Sequence, residues 1–225
     1  NLALLRNNAR VAAEVAVAGK TEQVHVKNSG RLKELLLPGA PVAMEIASSA
    51  AHRKTKYSLV SVKNNGAWVN IDSQVPNAVV YEALLDGKIP ELPPVKSLKR
   101  EVTRGDSRFD LYFEDGDDGK GFIEVKGVTL VQNGIALFPD APTTRGAKHL
   151  RELERAVRSG WAGVVFFLVQ RNDARFFAPN EAMDPPFAEA LRQAAQAGVR
   201  VIAYDSAVTE DSIDIARPVE VRLGG

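Results

Sequence analysis

Ser107-Arg108-Phe109-Asp110-Leu111-Tyr112-Phe113 and, beyond an acidic turn, Gly121-Phe122-Ile123-Glu124-Val125-Lys126 set the architecture of this chain. In the first run Phe109, Leu111 and Phe113 alternate with Asp110 and Tyr112, the period of a strand with one face in a core. The turn residues Asp115 to Gly119 predict a hairpin between the two runs. In the second run Ile123 and Val125 are expected in the core, with Glu124 and Lys126 together on the other face. A hairpin lets Asp110 reach that face. Two carboxylates and an ammonium then converge on a hard-cation site of the kind Mg²⁺ or Mn²⁺ occupies beside a phosphate. Such an ion polarises a phosphodiester and generates hydroxide. Lys126 would orient the attacking water or offset developing charge. The alternative is an exposed strand face carrying an ordinary Glu–Lys pair.

On either side of this hairpin the sequence alternates helix and strand. Val75 to Asp86 has a helical period and stops at Gly87, and Pro90, Pro93 and Pro94 block its continuation. A strand is expected at Leu98 to Thr103, and another at Gly134 to Phe138 before the loop Pro139 to Thr144. Thr143 or Thr144 caps a helix over Arg145 to Arg158, which ends at Gly160. Gly163 to Val169 reads as a buried strand. Asp184 and Pro185 open a helix to Ala197, and strands at Val199 to Tyr204 and Val219 to Val221 follow. This is a mixed α/β sheet flanked by helices.

Before Pro76 the texture differs. Val11 to Val17, Gln23 to Val26, Pro41 to Ile46, Tyr57 to Val62 and Trp68 to Ile71 read as short strands separated by turns rich in Gly and Asn. That is the content of a small β-barrel such as the oligonucleotide-binding (OB) fold, although other small barrels and sandwiches give the same pattern. The expected division is residues 1–74 and 75–225. The first part carries ten Lys and Arg against five Asp and Glu, the second nineteen against twenty-three. A basic module beside an acidic one suits contact with a polyanion, and ordinary surface charge explains the same numbers. Tyr57 and Trp68 are the visible stacking platforms for single strands, with core packing the alternative for Trp68.

The chain has no cysteine, which removes thiol catalysis, zinc–thiolate sites and disulfides, and fits a reducing cytoplasm. No apolar run reaches membrane-spanning length. The acidic run Glu114 to Asp118 fails as an EF-hand, because the twelfth position from Asp115 is Lys126 rather than Glu. His25, His52 and His149 are too scattered for a metal triad. Glu82 shares a side of its helix with Ala78, Leu85 and Ile89, so it is a candidate third carboxylate for the cation; the alternative is a helix-edge Glu reaching solvent. Arg145 and His149, four apart, and Lys148 are candidate phosphate contacts at a helix start, with packing beside Leu150 and Leu153 the alternative for His149. Arg31 and Lys33 are candidate contacts in the basic N-terminal part.

Asn28-Ser29-Gly30-Arg31, Val75-Pro76-Asn77, Ser107-Arg108-Phe109-Asp110, Glu124-Val125-Lys126-Gly127-Val128-Thr129-Leu130 and the long block Ala136 to His149 resemble the sugar fermentation stimulation protein A family over nearly the whole chain. The resemblance implies an N-terminal OB-like β-barrel followed by an α/β domain of the PD-(D/E)xK nuclease superfamily. It also implies DNA binding connected with expression of sugar-metabolism genes. In the superfamily pattern Asp110, Glu124 and Lys126 fall on the core motif and Glu82 on the helix acid. Phe109 replaces the Pro of that motif, and Asn7 and Asn8 stand where more basic or aromatic residues are expected. The implied functions are a Mg²⁺-dependent DNA phosphodiesterase or a non-catalytic DNA-binding regulator on the same scaffold.

Overall fold

A computed structural model describes residues 2–3, 12–28, 30–46, 55–105 and 107–224. Asn7, Asn8, Ser29 and His52 lie outside the described residues. The N-terminal part carries β1 (Leu2–Ala3), β2 (Ala12–Val17), β3 (Lys20–Val26), β4 (Val42–Ile46), β5 (Tyr57–Asn64) and β6 (Ala67–Asn70). They form one sheet in the order β1-β2-β3-β5-β4 with β6 on β5, antiparallel except where β3 meets β5. Val15, Val24, Leu35, Leu59, Val62 and Ile71 form its core. Tyr57 packs against that core. Trp68 does not join it: the indole is half-buried, with the Lys63 ammonium 5.7 Å from the ring centre. The core-packing alternative read for Trp68 therefore belongs to Tyr57.

The remainder holds α1 (Val75–Leu85), β7 (Val95–Arg104), β8 (Ser107–Asp115), β9 (Lys120–Val128), β10 (Val131–Gln132), β11 (Ile135–Phe138), α2 (Thr144–Arg158), β12 (Ala162–Val169), β13 (Phe176–Pro179), α3 (Pro185–Gln196), β14 (Arg200–Val208), β15 (Ile213–Pro218) and β16 (Glu220–Val221). The main sheet runs β15-β14-β12-β9-β8-β7, and β10-β11-β13-β16 form a smaller one. β12 is parallel to both β9 and β14. Its uninterrupted apolar run follows from burial on both faces. Val164, Phe166 and Leu168 point to the α1 side, and Val165, Phe167 and Val169 to the α2–α3 side.

α2 joins β9 to β12 through the β10–β11 excursion, and α3 joins β12 to β14. Thr143 Oγ1 caps α2 by accepting from Gly146 N at 3.0 Å. Asp184 caps α3 through Phe187 N at 3.0 Å, and its other oxygen accepts from Thr143 N at 2.7 Å. One carboxylate therefore fastens the starts of both helices. The acidic hairpin turn is closed by Asp115 Oδ1, which accepts from Asp117 N and Gly119 N at 2.9 and 2.7 Å.

α1 buries Pro76, Val79, Val80, Ala83 and Leu84. The expected line through Ala78, Glu82 and Leu85 is a different side of the helix: Leu85 is 57% exposed, and Glu82 is exposed as well. The correction has a local cause. Apolar residues occupy nearly the whole of Val75 to Leu85, so periodicity alone did not choose a face. β1 and β10, of two residues each, were absent from the expected set, as were two longer strands, β13 and β15. The first is four residues long and ends in Pro179; the second carries Asp214 and Arg217 on an edge. Among the described residues no helix is long and apolar enough to cross a membrane.

The N-terminal sheet docks through side chains that the apolar pattern does not reveal. Gln170, following β12, donates from Nε2 to Asn70 Oδ1 at 2.8 Å and to Asp72 O at 3.1 Å. Its carbonyl accepts from Asn70 N at 3.0 Å. Arg171 Nη2 reaches Asn64 Oδ1 at 3.2 Å, and Arg31 N donates to Asp140 Oδ2 at 2.7 Å.

Candidate active site

β8 and β9 pair from Glu114↔Lys120 to Leu111↔Ile123 and then part. Continuing that register would set Asp110 opposite Glu124. Instead the Asp110 side chain continues the ladder: its Oδ2 accepts from Val125 N at 2.8 Å. Its Oδ1 accepts from Asn77 Nδ2 at 2.8 Å, tying the first turn of α1 to the splayed strands. Burial, and then the negative charge of Glu124, push the Asp110 carboxyl above its ordinary pKa; the bonds from Val125 and Asn77 and the Lys126 charge oppose that only in part.

Glu124 is 2% exposed, so the alternative of a solvated Glu–Lys face does not describe it. Its Oε1 receives both the Lys126 ammonium and His149 Nδ1. Its Oε2 is buried and has no hydrogen-bond partner. Burial alone would raise its pKa, but the His149 hydrogen bond and the Lys126 charge outweigh it and hold the carboxyl below the usual value. Two neighbouring carboxyls are thus driven in opposite directions, a recurrent property of reactive sites.

His149 sits on the buried face of α2. Arg145 Nε donates to His149 Nε2 at 3.4 Å, which leaves Nδ1–H to face Glu124. The structure therefore withdraws His149 from the expected surface phosphate contacts and places it behind a carboxylate. Arg145 and Lys148 remain exposed on α2. Arg31 and Lys33 are exposed on the N-terminal part, Arg31 at the seam with Asp140. Glu82 is not brought to the cluster. Five residues beyond Asn77 it is about 140° further round α1 at ~100° per residue, and its electrostatic neighbour is Lys88.

Sequence reasoning missed Asn77, and it missed that His149 holds Glu124. The signal for Asn77 was its place directly after Pro76, in the first turn of a helix that precedes the hairpin.

The residues present fit a divalent cation in one respect that can be tested on the geometry. A buried carboxylate oxygen without a donor, next to a second carboxyl that resists ionisation, is what a cation would relieve. Among the described residues no group of three or more His, Cys, Asp or Glu could hold a metal. The available pair matches a Mg²⁺ site, which takes one or two carboxylates and keeps its waters. Gly127, next in β9 after Lys126, lines a cleft of about 380 Å³ shared with Asn28, Gly30, Thr129, Asp140 and Gln170. The cleft lies between the N-terminal sheet and the larger domain.

The family described as the SfsA N-terminal OB domain matches residues 5–71, and the sugar fermentation stimulation protein RE domain matches residues 74–212. A sugar fermentation stimulation protein homolog of Alkaliphilus oremlandii is 46% identical over 220 residues, covering 96% of this chain and 94% of the relative. One from Desulfitobacterium hafniense strain Y51 is 49% identical over 214 residues, covering 95% and 92%. The solved structure of Pyrococcus furiosus SfsA in complex with Ca²⁺ superposes with a TM-score of 0.87 at 27% identity, over 98% of this chain and 94% of that one. With an OB-type N-terminal domain, a mixed α/β C-terminal domain and relatives matched along nearly their full length, the chain belongs to the sugar fermentation stimulation protein (SfsA) family.

Proposed function

We propose that this protein binds DNA and hydrolyses its phosphodiester bonds with Mg²⁺ or Mn²⁺, through a C-terminal domain of the PD-(D/E)xK nuclease type. The observation that carries the reading is the unpartnered, buried Oε2 of Glu124 beside the carboxyl of Asp110. The Ca²⁺ complex of the Pyrococcus furiosus relative supports a divalent ion in this fold.

Asp110 and Glu124 would hold the cation, whose chemistry when bound is to polarise the phosphoryl oxygens and acidify a water. Each remaining group has its own task. His149 and Lys126 keep Glu124 ionised despite its burial. The Asp110 side chain is fixed at both oxygens, so its position needs no reorganisation when substrate arrives. The Lys126 ammonium, half-buried beside the cluster, neutralises charge that develops on the phosphate. The cleft beginning at Gly127 gives a strand a path between the two domains.

The test is cleavage of end-labelled single-stranded, duplex and branched DNA with Mg²⁺, Mn²⁺ or EDTA, beside Asp110→Ala and Lys126→Ala. Cation-dependent cleavage lost in both variants is the expected result. A second reading, a DNA-binding regulator without turnover, is favoured by the exposure of Glu82, which leaves two carboxylates for the cation. Binding without cleavage, unchanged in either variant, would establish that reading instead.

A further inference from the structure

Resting on the DNA-binding reading above, we infer that the exposed face of α2, with the Arg104 pocket beside it, is a track for the nucleic-acid backbone leading away from the carboxylates. Arg145, Lys148, Arg151, Arg155 and Arg158 recur at spacings of three and four and are all exposed. They occupy one side of the helix over about 20 Å at ~1.5 Å per residue. α2 contains five cations against Glu152 and Glu154, within a domain whose overall balance is acidic. Ion pairs from Arg155 to Glu152 and from Arg158 to Glu154 are the ordinary helix-surface arrangement and would not alone imply a ligand.

The second observation is at Arg104, which ends β7. Its guanidinium lies 3.9 Å from the Trp161 ring centre and 5.5 Å from that of Phe122. Those rings stack on each other at 5.2 Å, so the cation rests on a rigid aromatic bed. Its Nη1 is nonetheless buried without a hydrogen-bond partner. Arg104 and Arg155 line the same pocket of about 180 Å³, together with Ser159 and Glu152. A desolvated donor with no acceptor is costly, and a phosphate oxygen is the acceptor that two arginines would select. The start of this track is the helix turn holding Arg145 and His149, the far end is the Arg104 pocket, and a backbone laid along it begins beside Glu124.

The experiment measures duplex DNA binding by fluorescence anisotropy in EDTA across a salt series. It compares wild type, Arg151→Gln, Arg155→Gln, Arg104→Gln, their triple combination and the control Arg222→Gln. Each track substitution is expected to weaken binding and to lower the slope of log affinity against log salt by about one, so the triple variant loses about three and the control none. Arg151→Gln alters an exposed side chain and keeps the test free of folding defects. Equal slopes in the track variants and the control overturn the track, even where wild type binds and cleaves. Wild type that fails to bind DNA overturns the track and the DNA-binding reading together. Binding retained without cleavage leaves the track standing and removes only catalysis. Phosphatidylglycerol vesicles run beside the DNA identify the other polyanion: loss of vesicle binding with unchanged DNA slopes would assign the face to membranes and overturn the inference.

Discussion

Asp110 does two things with one carboxylate: it completes the β8–β9 ladder through Val125 N, and it presents a negative charge that burial and Glu124 disfavour. Its folded-state pKa lies above the unfolded one. Ionised Asp110 therefore opposes folding, and stability falls as pH rises from the unfolded value through the folded one. Asp110→Asn keeps an acceptor for Val125, and a flip of the Asn77 amide restores the other bond. We expect it to be more stable than wild type at neutral pH without added cation, by about 0.5–2 kcal/mol, the usual size of a single stabilising substitution. The melting temperature should rise by roughly 2–4 °C per kcal/mol in a chain this size. The gain should vanish in acid, where both states are protonated, and under the proposed cation-binding reading stabilisation by Mg²⁺ should vanish with the substitution. Glu124 has the opposite sign. His149→Ala removes one of the groups that offset its burial, so Glu124 keeps its proton to higher pH. The onset of Mg²⁺ binding, followed by titration calorimetry across the acid range, should move upward in pH. At this scale Asp110, Glu124 and Lys126 were legible because strand alternation fixes which residues share a face. His149 was not, because its partner lies 25 residues away on another element and no spacing rule connects them.

Elements were legible where one periodicity dominated. The hairpin, the unbroken run of β12 and the caps Thr143 and Asp184 all follow from local chemistry. α1 was legible as a helix but not in its orientation, and that misplaced Glu82. β13 and β15 failed for another reason: they are short or edge strands whose place is set by neighbours rather than by their own composition. Asp184 illustrates how much one cap can carry. Asp184→Ala removes the acceptor of Phe187 N, a loss of about 0.5–2 kcal/mol for a helix cap. It also orphans Thr143 N, at about 1–3 kcal/mol if the group stays buried. Thermal unfolding of the variant should begin several degrees lower, and Asp184→Asn should recover part of the difference.

At the scale of the whole molecule, one hydrophobic core lies within residues 13–71 and two lie within 79–219, one on each face of the main sheet. The pieces meet through amide and guanidinium contacts. Gln170→Ala removes the donor to Asp72 O and one of the two donors to Asn70 Oδ1, which keeps Asp72 N, a cost of about 1–3 kcal/mol. Scanning calorimetry should then resolve two transitions where wild type shows one, because the smaller core would no longer melt with the larger. None of this seam was readable in advance, since Asn and Gln at strand ends are compatible with solvent as readily as with each other. The seam also has a mechanical side. Gln170 directly extends β12, the strand clamped between β14 and β9, and β9 carries Glu124 and Lys126. A tug on the N-terminal domain is therefore delivered as shear along a stiff rod, one strand removed from the carboxylates, rather than being absorbed in a slack tether.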